Sequence, residues 1–442
     1  TDTCWTFAGI AMLETNLAMR DYNNNLGTSK VYDYSERHMD YATSRTFLNN
    51  KLNEYGFGRE AGRGGNEYLA SAYLTNGLGA VLETDMPFQN NSDKIDLSEI
   101  EKTVRTQVYD TVNFPLYAGY EDTENLRNEM KHHIKNYGGI SARIHGADLN
   151  SDYYNEQTAA IYCDDANKCP ANHAVTIVGW DDDYSKDNFK EGHRPSGNGA
   201  WIIKNSWGTR QEFTLYDIKE AIFQTFEDYC IKNGWDAAEK IPDDIASQIA
   251  ISSGYQIDGD IVYRLIGDKG FMYISYQDVV VYGALYGITN ANDKLDYENI
   301  YQYDIFGVSS FLPFTTQEIY LASSFDKKTN GKEYVNQVSI YCPETYTCEV
   351  YINPNGTGKS PSDLSQVELR AGKTETFEAG YHTLEFLNPI EITGNQFTIV
   401  IKAKGTRDGS IFVCSEEKRS GTFFENIEVE LEEKSFTYEY ES

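Results

Sequence analysis

The sequence is poor in several things, and each scarcity narrows the reading. Nowhere do eighteen apolar residues run together, which removes a helical membrane span. Basic residues are outnumbered, 38 Lys and Arg against 68 Asp and Glu, giving a formal charge of −30. So acidic a surface repels phosphate backbones and anionic lipid, which argues against a nucleic-acid partner. There is no CxxC pair, no histidine at ligand spacing from a cysteine, no low-complexity tract and no internal repeat. That argues against a zinc site. Proline is sparse, at 10 in 442 residues.

What is abundant is aromatic: 34 tyrosines and 21 phenylalanines, ample material for packed cores in two or three domains. Four of the seven cysteines form two like-spaced pairs, Cys163 with Cys169 in "CDDANKC" and Cys342 with Cys348 in "CPETYTC". Each pair reads equally as a small-loop disulfide or as reduced thiols. The odd total leaves at least one free thiol, for which Cys4 is the natural candidate.

Residues 4–20 are apolar nearly all round, which predicts a buried helix. Further helices are expected over 35–54, 65–76 and 123–137, the last closed by Gly138. The texture then changes to short glycine-bounded β-branched runs, "GGISARIHG", "HAVTIVGW" and "GAWIIKNSW", which read as strands. Residues 210–266 read as a helical insertion, and "KGFMYISYQDVVVYGALYGI" as a return to strand. From about Asp296 onward, alternating strands and glycine turns predict an all-β sandwich.

Cys4 stands at the head of the buried helix, where unpaired N–H groups and the helix dipole favour a thiolate. By itself it reads more readily as a small buried hydrophobe. His173 opens an apolar strand, and Asn205 ends another, followed by Ser206, Trp207 and Gly208. A thiol nucleophile needs an imidazole to take its proton, and the imidazole needs an orienting group. Trp207 would shield the His–Asn hydrogen bond from water.

These residues resemble the papain-like cysteine peptidases. The resemblance rests on Cys4-Trp5 with Phe7-Ala8, Gly64-Gly65, His173-Ala174-Val175 with Gly179, and Asn205-Ser206-Trp207-Gly208, and spans residues 1–285. "YENIYQYDIFG" resembles the opening of the lectin-like β-sandwich that follows the peptidase domain in clostridial surface-associated peptidases. The resemblance implies an α+β fold: a two-lobed peptidase domain over 1–285 and a lectin-like sandwich over 293–442. It implies Cys4 as nucleophile, His173 as general acid and base, and Asn205 as its orienting group. Gly64 and Gly65 would pair with the substrate backbone. Ala174 and Glu67 would line the pocket for the side chain two residues before the scissile bond, where Glu67 would suit a basic or polar residue. Substrates would be proteins or peptides, with a glycan or cell-wall ligand for the sandwich.

The family's oxyanion-hole glutamine would fall before Thr1, so the reading expects a partial sequence, short of its first strand and weak in turnover. Export to the exterior or cell surface is expected, its signal lying outside the sequence. No cofactor is required. The acidic loop "DDDYSKD" at 181–187 is a calcium candidate, though its spacing matches no EF-hand and it reads more readily as a solvated loop, and "ENIEVELEEKS" is a second acidic run. The rival reading is a non-catalytic surface adhesion protein that uses the peptidase fold as scaffold.

Overall fold

The helix Cys4–Asn23 is apolar at nearly every position of its first half, from Cys4 to Leu13, and packs into the core there. Trp5, Ala8, Ile10, Ala11, Met12, Leu13 and Leu17 are all buried, on every side of the helix. Thr6, Asn16 and Asp21 are polar side chains buried with them, and Asn16 is satisfied twice. Its Nδ2 donates to the Tyr137 and Ile288 carbonyls, both at 2.8 Å, tying the helix to two neighbours.

A computed structural model describes residues 2–26, 30–44, 56–57, 59–89, 102–114, 124–146, 151–259, 261–303, 305, 307–308, 310–356, 370–406, 409–415, 427–428 and 435–438. Contacts gather the chain into two units. The first comprises residues 1–146, 167–178 and 279–442, the second 147–166 and 179–278.

In the first unit, helices Glu36–Ala42 and Glu67–Thr75 pack with the Cys4–Asn23 helix in one core. The helix expected over 35–54 ends at Ala42, and residues 45–55 lie outside the described set. The amphipathic helix Glu124–Tyr137 appears as expected and stops at Gly138, whose N–H reaches the Ile134 carbonyl at 3.3 Å. Beside these helices lie antiparallel strands in the order Gln107–Asn113, Leu285–Asn292, Ile140–Ile144 and the first part of His173–Asp181.

The C-terminal sandwich belongs to this unit too. Strands Arg370–Phe377, Tyr346–Asn353, Gln396–Gly405, Glu318–Asp326 and Ser435–Tyr438 pair antiparallel in that order. Tyr334–Cys342 pairs with Gly380–Glu391, and Ser310–Phe314 with Ile411–Ser415. Their inward side chains, Ile319, Ile340, Leu384, Ile401 and Val413 among them, form one apolar cluster. The sandwich adjoins strand Gln107–Asn113: the Tyr381 N–H donates to Thr111 Oγ1 at 2.8 Å, and Thr383 Oγ1 donates to the Tyr109 carbonyl at 2.8 Å. Most of the acidic run 425–435 lies outside the described residues.

The second unit pairs Ala200–Lys204 antiparallel with Phe271–Ser275, and Ala160–Ile161 parallel to the latter. The expected strand over 269–288 is interrupted. It stops at Ser275, the Asp278 N–H turns back to the Ser275 carbonyl at 3.0 Å, and the next strand starts only at Leu285. The insertion is more than helical. Helices Leu215–Thr225, Glu227–Lys232 and Asp243–Ser252 accompany a sheet of Arg210–Thr214, Ile261–Leu265 and Gln256–Asp258. It has its own core of Ile218, Ile222, Cys230, Ile241, Ala246, Ala250 and Val262. Thr214 and Asp217 close a capping box at its first helix.

Candidate active site

Cys4 is the first residue of its helix and is half-buried. Burial pushes its thiol above the ordinary value. Against this, the backbone N–H groups of Ala174, Trp5 and Cys4 itself favour the thiolate, and the Asp2 carboxylate opposes it. Two of those donors are helix-start groups without an intrahelical partner. Burial wins, so these surroundings keep the sulfur protonated, and activation calls for a base.

The Ala174 contact brings the head of the helix against the strand that starts at His173. His173 is buried and stands opposite Ile144 in the antiparallel register. Gly146 makes room for it: a Cβ there would lie 2.7 Å from the His173 Cβ.

The Gly64-Gly65 segment is fixed from behind. Arg59 is fully buried, ion-paired with Asp40, and donates from Nε to the Gly64 carbonyl at 2.6 Å. Its guanidinium lies 4.9 Å from the Trp5 ring centroid, a cation–π distance. Gly65 must lack a side chain, because a Cβ would stand 2.3 Å from the Trp5 indole. Two residues on, Glu67 opens the next helix, with Asn66 Oδ1 capping the Leu69 N–H at 3.0 Å.

Glu67 is not a free carboxylate. Arg143 grips it side-on, Nε to Oε2 at 2.8 Å and Nη2 to Oε1 at 2.6 Å. The negative charge that would suit a basic substrate side chain is therefore already matched. Arg143 is registered opposite Ala174. Neither Arg59 nor Arg143 stood out in the sequence. The one local hint was an arginine within the short strand-like run "ISARI".

Asn205 and Trp207 lie in the second unit. Asn205 is buried, with its N–H on the Gly270 carbonyl at 3.0 Å. Its Oδ1 accepts from the Ser206 N–H at 2.8 Å, and its Nδ2 lies 3.3 Å from the Met272 sulfur. Trp207 is half-buried. In the 181–187 loop, Asp181 Oδ1 accepts from the Asp183 N–H, Asp182 Oδ1 from the Tyr276 hydroxyl, and Asp187 pairs with Arg194 at 3.2 Å. Among the described residues, no three His, Cys, Asp or Glu side chains gather where a metal ion could be held. Nor is any described helix long and apolar enough to cross a membrane.

The two cysteine pairs, alike in spacing, differ in state. Cys163 and Cys169 are disulfide-bonded, whereas Cys342, Cys348, Cys4, Cys230 and Cys414 are thiols.

Residues 2–216 match the papain family cysteine protease, and residues 300–436 match the lectin like domain. Cysteine proteinase 1 of Entamoeba histolytica is 28% identical over 210 residues, which are 47% of this chain and 53% of that protein. The chain thus spans about half the length of this curated relative. Solved structures that share the fold include two of one clostridial protein. The clostridial cysteine protease Cwp84 after propeptide cleavage superposes with a TM-score of 0.71 at 21% identity, over 99% of this chain and 87% of that one. The cysteine protease and lectin-like domains of Cwp84, a surface layer associated protein of Clostridium difficile, give 0.68 at 20% identity, over 99% and 78%. The chain carries a papain family cysteine protease domain followed by a lectin-like domain.

Proposed function

We propose that this chain is a cysteine endopeptidase that works through Cys4, His173 and Asn205. The observation that carries the reading is the contact of the Cys4 sulfur with the Ala174 N–H, which sets a helix-start thiol beside the strand that begins at His173. Since burial alone holds the thiol protonated, His173 takes the Cys4 proton as sulfur attacks the carbonyl carbon of a peptide bond. The helix-start N–H groups face the charge that develops there. The C–N bond breaks, His173 protonates the departing amine, and the acyl group stays on Cys4 as a thioester. Water, losing a proton to His173, then cleaves the C–S bond and frees the carboxylate and the thiol. Asn205 orients the imidazole, and Trp207 covers that hydrogen bond. Gly64 and Gly65 offer main-chain groups to an extended substrate, which adds to them as a strand.

The lectin-like sandwich serves attachment or recognition, with a glycan or cell-wall polymer as its ligand, and the protein acts outside the cell or at its surface. The likeness to Cwp84, a surface layer associated protein, supports this placement.

The test is alkylation of the native protein by an epoxide at mildly acidic pH, followed by peptide mapping, beside hydrolysis of a fluorogenic peptide. Cys4 is expected to react ahead of Cys230 and Cys414, and His173→Ala to abolish that preference. Equal labelling of the three thiols, with no turnover, would refute the peptidase reading and favour a scaffold without catalysis.

A further inference from the structure

Arg143 has no task in the peptidase mechanism, although it stands close to the nucleophile. Strand Ile140–Ile144 places Arg143 opposite Ala174 in the antiparallel register, and the Ala174 N–H faces the Cys4 sulfur. Residues paired across two strands project to the same face, so the Arg143 side chain leaves the sheet on the side of the Ala174 methyl. There it meets Glu67, which stands only two residues beyond the substrate-facing Gly64-Gly65 segment.

The two partners are unequally exposed. The Glu67 side chain keeps 11% of its surface in contact with solvent and the Arg143 side chain 38%. Both Glu67 oxygens are engaged, while the pair uses only Nε and Nη2 of the guanidinium. Among the described residues, Nη1 has no hydrogen-bond partner. What this corner offers a ligand is therefore the open end of a guanidinium, held in orientation by a carboxylate behind it. Arginine with its remaining donors free suits a carboxylate better than any other peptide side chain.

We propose that Arg143 is a specificity residue: it selects peptides that carry an acidic side chain two residues before the scissile bond and disfavours lysine or arginine there. Glu67 is its fixed counter-ion and not a receptor for basic side chains. The inference rests on the peptidase reading and fixes the charge class of its substrates. A third charge joined to a half-exposed pair contributes about fivefold. Attraction of glutamate and repulsion of lysine together give a glutamate-over-lysine ratio of at least about tenfold.

The experiment measures the rate of Cys4 alkylation by peptidyl epoxides that differ only in one side chain, glutamate, leucine or lysine, with iodoacetamide as an uncharged small probe. The wild-type protein is expected to react in the order glutamate, leucine, lysine, with the spread narrowing at high salt. Arg143→Gln frees the Glu67 charge and should reverse the order. Glu67→Gln keeps the guanidinium and should preserve it, and the double variant should erase it. The wild-type series decides the matter even if a variant folds poorly. Iodoacetamide labelling of Cys4 with no dependence on peptide charge, or with lysine fastest, overturns the role of Arg143 and leaves the peptidase reading standing. A Cys4 that reacts with neither class of reagent overturns both.

Discussion

Arg59 joins Trp5 to Gly64: its guanidinium lies over the indole at 4.9 Å, and its Nε donates to the Gly64 carbonyl at 2.6 Å. A buried arginine is tolerable only when its charge is paired and its donors are used. Here Asp40 supplies the charge, and the Asp40 and Thr43 carbonyls accept from Nη1 at 2.7 and 3.2 Å. The arrangement couples the residue after the nucleophile to the segment proposed to bind substrate. Arg59→Met should strand a buried Asp40 carboxylate and destabilise the protein by roughly 3–5 kcal/mol. Denaturant titration reads this directly. Arg59→Lys keeps the charge but loses the planar fork, and should fall between. A loss below about 1 kcal/mol for the methionine variant would show that the network is dispensable.

Gly65 is a steric partner of Trp5, with no room for a Cβ. Gly65→Ala should lower Cys4 alkylation and any peptide turnover, because either the indole or the segment must shift. The cause is separable by a double-mutant cycle. Trp5→Leu removes the clashing atoms, so the alanine should cost much less in that background than in the wild type. Additive effects would mean that the glycine is needed for its backbone alone.

The thiol inventory gives a third expectation. Cys230, Cys342 and Cys348 are buried thiols, and Cys4 and Cys414 are half-buried. In denaturant without reductant, alkylation should modify the five thiols. After reduction it should modify all seven cysteines. Mass spectrometry of the intact chain distinguishes these from a protein with two disulfides, which would take up only three labels before reduction.

Legibility varied with how local each signal is. The first helix was readable because its first half, Cys4 to Leu13, is apolar on every side, which means burial. Strands such as Tyr334–Cys342 and Tyr346–Asn353 were readable because their side chains alternate between more and less buried positions. The places of Cys4 at the start of a helix and of His173 at the start of a strand were readable from their neighbours in sequence. Arg59 and Arg143 were not, since their meaning lies in Asp40 and Glu67, 19 and 76 residues away, and a lone charged residue reads as solvated. The sheet in the insertion was hidden for another reason. Arg210–Thr214 and Gln256–Asp258 are largely exposed, so neither carries the apolar alternation that marks a strand.

His133 gives the last expectation, and it concerns stability against pH. The ring is buried, 3% exposed, between Phe114 and Tyr137, with ring centroids at 5.5 and 5.4 Å. Its Nε2 is buried with no hydrogen-bond partner among the described residues. Burial, with a smaller contribution from neighbouring His132, lowers its pKa from 6.5 to about 4. In the unfolded chain the imidazole takes up a proton near its ordinary value, whereas the folded protein resists protonation until about pH 4. Between those limits the unfolded state binds more protons, so stability falls as the pH falls. The contribution is fully present above pH 6.5 and lost on acidification through the window to about 4, and its size is on the order of 3 kcal/mol. Other groups titrate over the same range, so the informative quantity is a difference. His133→Phe keeps an aromatic ring in the site and removes the titration. Its unfolding free energy should fall less steeply from pH 6.5 to 4 than that of the wild type. Parallel curves would mean that the imidazole becomes charged in the folded state as readily as in the unfolded one.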